Sequence, residues 1–220
     1  MVAVREAVLI AVVVFAVVVG AAGLFVFLPL LRGSDRPRRD TFARWAATHG
    51  WRYDDRAHPA WSARLPGHDS GTVVLSVTGV VDNRLVTAAE YRCESHRFTV
   101  LVVHLDRPYP PLAVLDRELS REIGDAFTGS TSIHTGHAAF DRRFRVIAVD
   151  RQYARLMLDP VVIQAQLDGP VERWSLAGRD LLTYRPGRPS GPAAIPDLAR
   201  PVLHLADLLE ERAYGEPPAR

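Results

Sequence analysis

Two histidines and an aspartate in the second half of the chain form the strongest candidate for a metal site. His134, His137 and Asp141 lie within eight positions, in a segment rich in Gly, Ser and Thr. Imidazole and carboxylate groups are zinc ligands, and imidazoles three positions apart converge if the segment curls. A structural zinc normally needs a fourth ligand and a catalytic zinc needs an activating base, and neither adjoins these residues. We predict a polar surface loop with no metal and no cofactor, with a metal-dependent hydrolase centred on this loop as the alternative.

Two other groupings contain the residue types of known nucleophilic or acid catalysts. Asp69-Ser70-Gly71-Thr72 has the composition of an aspartic protease turn, but that chemistry needs two carboxylates that share a proton, and the sequence has one copy. Cys93 and His96 are a thiol and a base without a third partner in the sequence, which favours a half-buried thiol. G-x-S-x-G, G-x-G-x-x-G and Walker A patterns are missing from the sequence. The catalytic residues therefore stay unknown, and an enzyme is the less favoured interpretation.

Charge composition argues against a nucleic-acid partner. Residues 1–40 contain five Arg and three acidic residues of the chain's 27 basic and 25 acidic ones, so residues 41–220 hold 22 of each. A nucleic-acid surface normally has a net basic footprint, which this balanced part lacks. Every basic residue is Arg and none is Lys, a bias that indicates a high-GC bacterial genome. Cys93 is the only cysteine, which excludes an internal disulfide and a CxxC metal site.

The N-terminal segment has the pattern of a membrane span. Residues 7–31 run for 25 positions without a charged side chain, and 17 of them are Val, Leu, Ile or Phe. As a helix the segment extends about 37 Å, enough to cross a hydrocarbon core of about 30 Å. A cleaved signal peptide is the competing interpretation, but its apolar region is shorter and ends at a small-residue site before polar sequence. We predict a retained anchor at residues 1–31 that binds the lipid bilayer through residues 7–31.

The flanks of this segment predict its orientation. Arg32, Arg36, Arg38 and Arg39 follow the span, whereas Arg5 alone precedes it. Because the side richer in Lys and Arg stays in the cytoplasm, we expect a single-pass protein of the bacterial cell membrane with a cytoplasmic C-terminal part. Export of the same part to the outer face, where it would handle envelope components, is the alternative.

Periodicity in the remainder predicts an α+β domain over residues 40–213, after a basic linker at 32–39 and before a disordered tail at 214–220. Asp40, Asp150 and Asp159 are candidate N-caps, and Gly50 fits the residue after the end of the first helix. Asp82-Asn83 is a turn signal that predicts a hairpin. Short strands with short turns predict an antiparallel sheet with helices packed on one face. The predicted strands are 72–78, 85–93, 97–105, 112–115, 143–149, 171–177 and 181–185, and the predicted helices are 40–49, 116–123, 150–158, 160–167 and 198–212. The four tryptophans are expected to anchor the core or its loops: Trp45, Trp51, Trp61 and Trp174.

Several short motifs resemble a group of membrane-anchored proteins of high-GC Gram-positive bacteria. They are Phe140-Asp-Arg-Arg-Phe-Arg-Val146, Ala154-Arg-Leu-Met-Leu-Asp-Pro160, Gly50-Trp51-x-Tyr53 and Glu90-Tyr91-Arg92. The resemblance implies an N-terminal hydrophobic segment followed by an α+β domain, and it implies no activity and no catalytic residue. From residues and resemblance together, we predict a membrane-anchored binding or scaffolding protein that is not an enzyme, with an unidentified protein partner.

Overall fold

The computed structural model describes residues 35–55, 57–117 and 131–214. The chain divides into two compact units, residues 1–41 and 42–220, and of the first unit only residues 35–41 are described, as the beginning of a helix. The α-helices are α1 (Asp35–His49), α2 (Ala138–Arg143), α3 (Arg151–Met157), α4 (Pro160–Asp168) and α5 (Ile195–Tyr214). The strands are β1 (Arg52–Asp54), β2 (Thr72–Val81), β3 (Arg84–Cys93), β4 (His96–Asp116), β5 (Thr131–Ile133), β6 (Phe144–Ala148) and β7 (Trp174–Pro186). Short 3₁₀ helices span Ala60–Arg64 and Pro192–Ala194.

All seven described strands belong to one sheet, and every pairing in it is antiparallel. The strand order is β1-β2-β3-β4-β6-β5, and β7 pairs with β4 along its other edge. The predicted turn at Asp82-Asn83 closes the β2–β3 hairpin, with φ of 47° and 65° at the two residues. Positive φ at both positions is the geometry of the tight hairpin turns that Asp and Asn tolerate. The predicted mixed α+β class with an antiparallel sheet is confirmed.

The two faces of the sheet carry separate apolar clusters because side chains alternate along each strand. One face meets the helices, and its cluster includes Phe42 of α1, Met157 of α3 and Leu209 of α5. The opposite face is covered over part of its area by Trp61 and Leu65 from the segment between β1 and β2. The sheet is therefore helical on one side and covered by a loop on the other.

Capping residues account for the boundaries of the middle helices. Asp150 accepts a hydrogen bond from Tyr153 N at the start of α3, and Asp159 accepts one from Val162 N at the start of α4. A carboxylate at the N-cap satisfies an N–H group that the helix leaves unpaired. Both caps were predicted from the sequence.

Helix α1 begins earlier than the sequence predicted. It starts at Asp35 rather than after Asp40, so the second half of the predicted linker is helical, while Gly50 follows the helix with φ of +70° as expected. Arg36, Arg38 and Arg39 are good helix formers, and this propensity outweighs the N-cap preference of Asp40.

Two predicted pairs of strands are single strands in the structure. β4 continues through Pro108, Pro110 and Pro111 to Asp116, and its pairing with β7 shifts register between His104 and Leu112. Proline lacks an N–H, so the irregular stretch tolerates it where a regular ladder would not. β7 likewise runs without interruption, and Gly178 has a positive φ of 57° at the point where a turn was expected.

Helix α2 was not predicted, and helix α5 is longer than predicted.

An ion-pair cluster joins α5 to the β2–β3 hairpin: Arg84 contacts Asp207 and Glu210. The hydrogen bond to Glu210 is the main cause of a raised Arg84 pKa. Pro201 lies inside α5, in its second turn.

Several predictions lie outside the described residues. They are the membrane anchor at 7–31, most of the predicted helix at 116–123, of which Asp116 belongs to β4, and the tail beyond residue 214. Among the described helices, none combines the length and the apolar character needed to cross a membrane.

Candidate functional site

The predicted metal loop is a self-contained capping structure in the described fold. His137 is the N-cap of α2, and its Nδ1 accepts a hydrogen bond from Phe140 N at 3.3 Å. Asp141 Oδ1 accepts from Thr135 N and Thr135 Oγ1, and Oδ2 accepts from Gly136 N, all within 3.0 Å. The groups that would bind a metal therefore satisfy the backbone of their own loop.

The third member of the predicted ligand set points largely into solvent. The His134 side chain is 79% exposed, and its Nδ1 lies 4.0 Å from Asp141 Oδ2. Burial alone would raise the Asp141 pKa, but the hydrogen bonds from Thr135 and Gly136 outweigh it and lower the pKa below its ordinary value. The described residues contain no group of three or more His, Cys, Asp or Glu able to hold a metal ion. The geometry therefore gives no support to the hydrolase alternative.

The other two groupings from the sequence also have local structural roles. Asp69 is 93% exposed and lies beside His68, while Ser70 Oγ hydrogen-bonds to Gly67 O within the same turn. Cys93 and His96 face each other across the β3–β4 hairpin as register partners. The Cys93 thiol contacts Gly67 O at 3.7 Å, so its hydrogen-bond partner is the covering loop.

A polar row that the sequence did not indicate crosses four strands on the face opposite the helices. The row consists of Thr78 on β2, Thr87 on β3, His104 on β4, Asp180 on β7 and Arg64 from the covering loop. Thr87 Oγ1 lies 2.9 Å from both Thr78 Oγ1 and His104 Nε2. His104 Nδ1 lies 2.9 Å from Asp180 Oδ1. One neutral tautomer satisfies the whole row: Thr78 donates to Thr87, Thr87 to His104 Nε2, and His104 Nδ1–H to Asp180.

Arg64 terminates the polar row with a buried positive charge. Its Nη1 donates to Ser175 O and Asp180 O at 3.1 Å each, and its Nη2 lies 3.9 Å from Asp180 Oδ2. Burial lowers the Arg64 pKa to about 10, and the nearby Asp180 carboxylate opposes that effect. The guanidinium therefore stays charged at neutral pH and joins the covering loop to β7.

Thr87, His104 and Asp180 follow one another in the order of a catalytic nucleophile, base and orienting carboxylate. Their geometry does not suit catalysis. Thr87 is only 7% exposed, and its hydroxyl already contacts two side chains. An acyl substrate must reach the nucleophile and place its oxyanion on preorganised donors. The buried position of Thr87 within a strand prevents that approach. The polar row is best described as a hydrogen-bonded brace across the sheet.

One feature of the sequence indicates the polar row. Thr87 and His104 occupy positions on strands whose neighbours on the same face are apolar, such as Val100, Val102 and Leu182. A polar residue in an otherwise apolar alternation indicates a buried hydrogen-bonding partner. The identity of that partner depends on the β3–β4–β7 register, which the sequence pattern does not provide.

Beside the polar row, the tip of the β2–β3 hairpin leaves apolar side chains in solvent. Val80 and Leu85 are register partners, 63% and 46% exposed. Trp51 packs against Gly79, where an added Cβ would lie 2.2 Å from the indole ring. We call Trp51, Gly79, Val80 and Leu85 the hairpin patch. It borders an open groove of about 380 Å³ that also includes Arg52 and Thr78.

Comparison with known proteins gives a structural neighbour but no family. No family model matches the chain, and no curated protein matches it in sequence. The solved structure of the mycobacterial trehalose monomycolate transport factor A, TtfA, is similar with a TM-score of 0.56 and 17% identity. The similarity covers 84% of this chain and 99% of that chain. At this identity the likeness shows the fold. The mycobacterial source of the solved protein is consistent with the high-GC Gram-positive origin that the sequence of this chain predicts. This chain shares the fold of that solved structure.

Proposed function

We propose that this chain is a membrane-anchored binding or scaffolding protein, without enzymatic activity, that serves a membrane transport system. The observation that carries the proposal is the extent of the structural likeness: nearly the whole solved chain of a transport factor is matched by this fold. Fold alone does not determine function, so the polar sites of the chain must also be consistent with a non-enzymatic role. The capped loop around Asp141 and the internally hydrogen-bonded polar row support a structural rather than a catalytic use of these polar residues.

The hairpin patch is the surface at which we place a protein partner. Its Val80 and Leu85 side chains are large, apolar and adjacent, and exposed apolar patches on folded proteins mark interaction sites. The groove beside them is wide open to solvent, a shape that accommodates the surface of another protein better than a small molecule. The exposed Arg52 at its border adds a polar rim.

Site-specific photo-crosslinking in the host cell tests the partner surface. A photoreactive residue at Val80 or Leu85 is expected to give one discrete crosslinked band that contains a membrane transport protein. The matched control is Val161, which is 48% exposed on α4, on the helical side of the sheet. Absence of crosslinks at all three sites, or equal crosslinks at Val161, contradicts the docking role of the hairpin patch.

The anchor has its own test because it lies outside the described residues. Val14→Arg combined with Val18→Arg is expected to release the protein from membranes, since each Arg at a helix centre costs roughly 2.5–3.5 kcal/mol in insertion free energy. Fractionation after an alkaline carbonate wash measures the release. Retention of the double variant in the membrane fraction contradicts a span at 7–31, and a reporter fused to the C-terminus distinguishes the cytoplasmic from the outer location.

Independent folding of the C-terminal part is also proposed. Residues 40–213 expressed alone are expected to unfold in one cooperative transition, because the apolar faces of the sheet are covered by elements within that range. Aggregation of this fragment, or the absence of a near-UV circular dichroism signal, indicates that its core needs the membrane segment or a partner.

A further inference from the structure

We propose that a cavity between α5 and the sheet binds the chain of an anionic single-chain amphiphile, such as a fatty-acid carboxylate. The cavity measures about 400 Å³ and is partly enclosed. It lies on the helical face, away from the hairpin patch, and it goes beyond the proposed scaffolding function without depending on it. Thr99 and Leu101 of β4, Val171 before β7, Thr183 of β7, and Leu198 and Val202 of α5 line it.

The floor of the cavity is apolar because of its leucine and valine side chains and also because its two threonines have their hydroxyl groups engaged elsewhere. Two threonines line it, but Thr99 donates its hydroxyl proton to Gly187 O, and Thr183 donates to Arg173 O. With their donors engaged, the two threonines offer no free hydroxyl proton to the cavity, which Leu101 and Val202 also line. Such a surface favours a hydrocarbon over a polar ligand.

The size of the cavity suits a medium-length chain. A volume of 400 Å³ lies within the range of small-molecule pockets, and at about 30 Å³ for a water-sized group it has room for roughly thirteen groups. Dodecanoate, whose methylene groups are of similar size, is therefore a suitable probe.

The charges at the mouth favour an anionic head group. Glu172 is paired with Arg173, and Asp197 is paired with Arg200. Arg185 also lines the cavity, and none of the carboxylates in the described part of the chain forms an ion pair with it. The mouth therefore carries one uncompensated positive charge above an apolar floor, an arrangement that complements a carboxylate with a hydrocarbon tail.

Photolabelling of the full-length protein in lipid nanodiscs tests the site. Dodecanoate with a diazirine in its chain is expected to label peptides that contain Leu198 and Val171, and unmodified dodecanoate is expected to suppress this labelling. Leu198→Trp, which fills the cavity from a half-buried position, is expected to abolish it. Arg185→Gln is expected to reduce it about three- to five-fold, the effect of an exposed ion pair.

Arg179→Gln is the matched control, since this arginine is exposed on the same strand and does not line the cavity. Its labelling is expected to equal that of the unaltered protein. Labelling spread over the surface and insensitive to Leu198→Trp overturns the cavity as the site. Equal labelling by the diazirine methyl ester, which has no charge, overturns the anionic head group. Either result leaves the crosslinking test of the hairpin patch unaffected.

Discussion

The loop around Asp141 and the polar row that includes Asp180 use similar side chains for different purposes. In the loop, histidine, threonine and aspartate lie close in sequence and bind their own backbone. In the polar row, residues from four strands and a covering loop bind one another. Polar residues that are close in sequence compete for local N–H groups, whereas polar residues on separate strands meet only through the sheet register. A dense polar motif in a sequence is therefore explained first by contacts with its own backbone, whereas a dispersed one becomes visible only in the folded chain.

The largest expected loss of stability, in the polar row or in the Asp141 loop, comes from removing the Asp180 side chain. Asp180→Ala leaves the buried Arg64 without its carboxylate and His104 without its partner, so we expect a loss of about 2–3 kcal/mol in the free energy of unfolding. Urea denaturation of the full chain measures it. Arg179→Ala, at an exposed neighbouring position, is the control with an expected change within about 0.5 kcal/mol. A loss for Asp180→Ala no greater than that of the control would remove the polar row as a structural brace.

A smaller effect is expected in the loop. Asp141→Asn removes the charge that accepts three hydrogen bonds, at a cost of about 1–2 kcal/mol. Because the pKa of Asp141 is lowered in the fold, its stabilising contribution is present above its ordinary value of 3.8 and is lost as the pH falls through the lower folded value. The variant should therefore lose less stability on acidification than the unaltered chain. Asp69→Asn, at an exposed carboxylate, is the control, and identical acid profiles for Asp141→Asn and the unaltered chain would contradict the account.

A double-mutant cycle measures the interaction between neighbouring members of the polar row. Thr87→Val and His104→Leu should each destabilise the fold, and their combined effect should differ from the sum by about 0.5–1.5 kcal/mol, since the two side chains hydrogen-bond directly. Equilibrium unfolding of the three variants gives the coupling energy. Strict additivity would mean that the contact does not contribute to stability.

The smallest effects are expected at the two loop histidines. His137→Ala should cost about 0.5–1 kcal/mol because His137 caps α2, whereas His134→Ala should cost almost nothing at its exposed position. The double variant should keep the fold and the same bound-metal content as the unaltered chain, measured by elemental analysis of the purified protein. About one zinc per chain that disappears in the double variant would restore the hydrolase alternative.

Much of the fold followed from local patterns in the sequence. The caps Asp150 and Asp159, the hairpin turn at Asp82-Asn83 and the antiparallel α+β class all depend on neighbouring residues. The predicted ends of strands were wrong where tertiary pairing compensated for an unfavourable local residue. β4, for example, continues past its prolines because β7 pairs with it on both sides of them. Local propensity is a weak prior that such pairing overrides.

By itself, the sequence determined the apolar segment at 7–31, the charge balance of the remainder and the positions of most helices and strands along the chain, because composition and periodicity are properties of neighbours along the chain. Only the tertiary structure decided which polar residues act together. Thr87, His104 and Asp180 are far apart in sequence, and their contact depends on the register of three strands. The hairpin patch and the α5 cavity arise in the same way, since exposure and enclosure depend on what the rest of the fold covers.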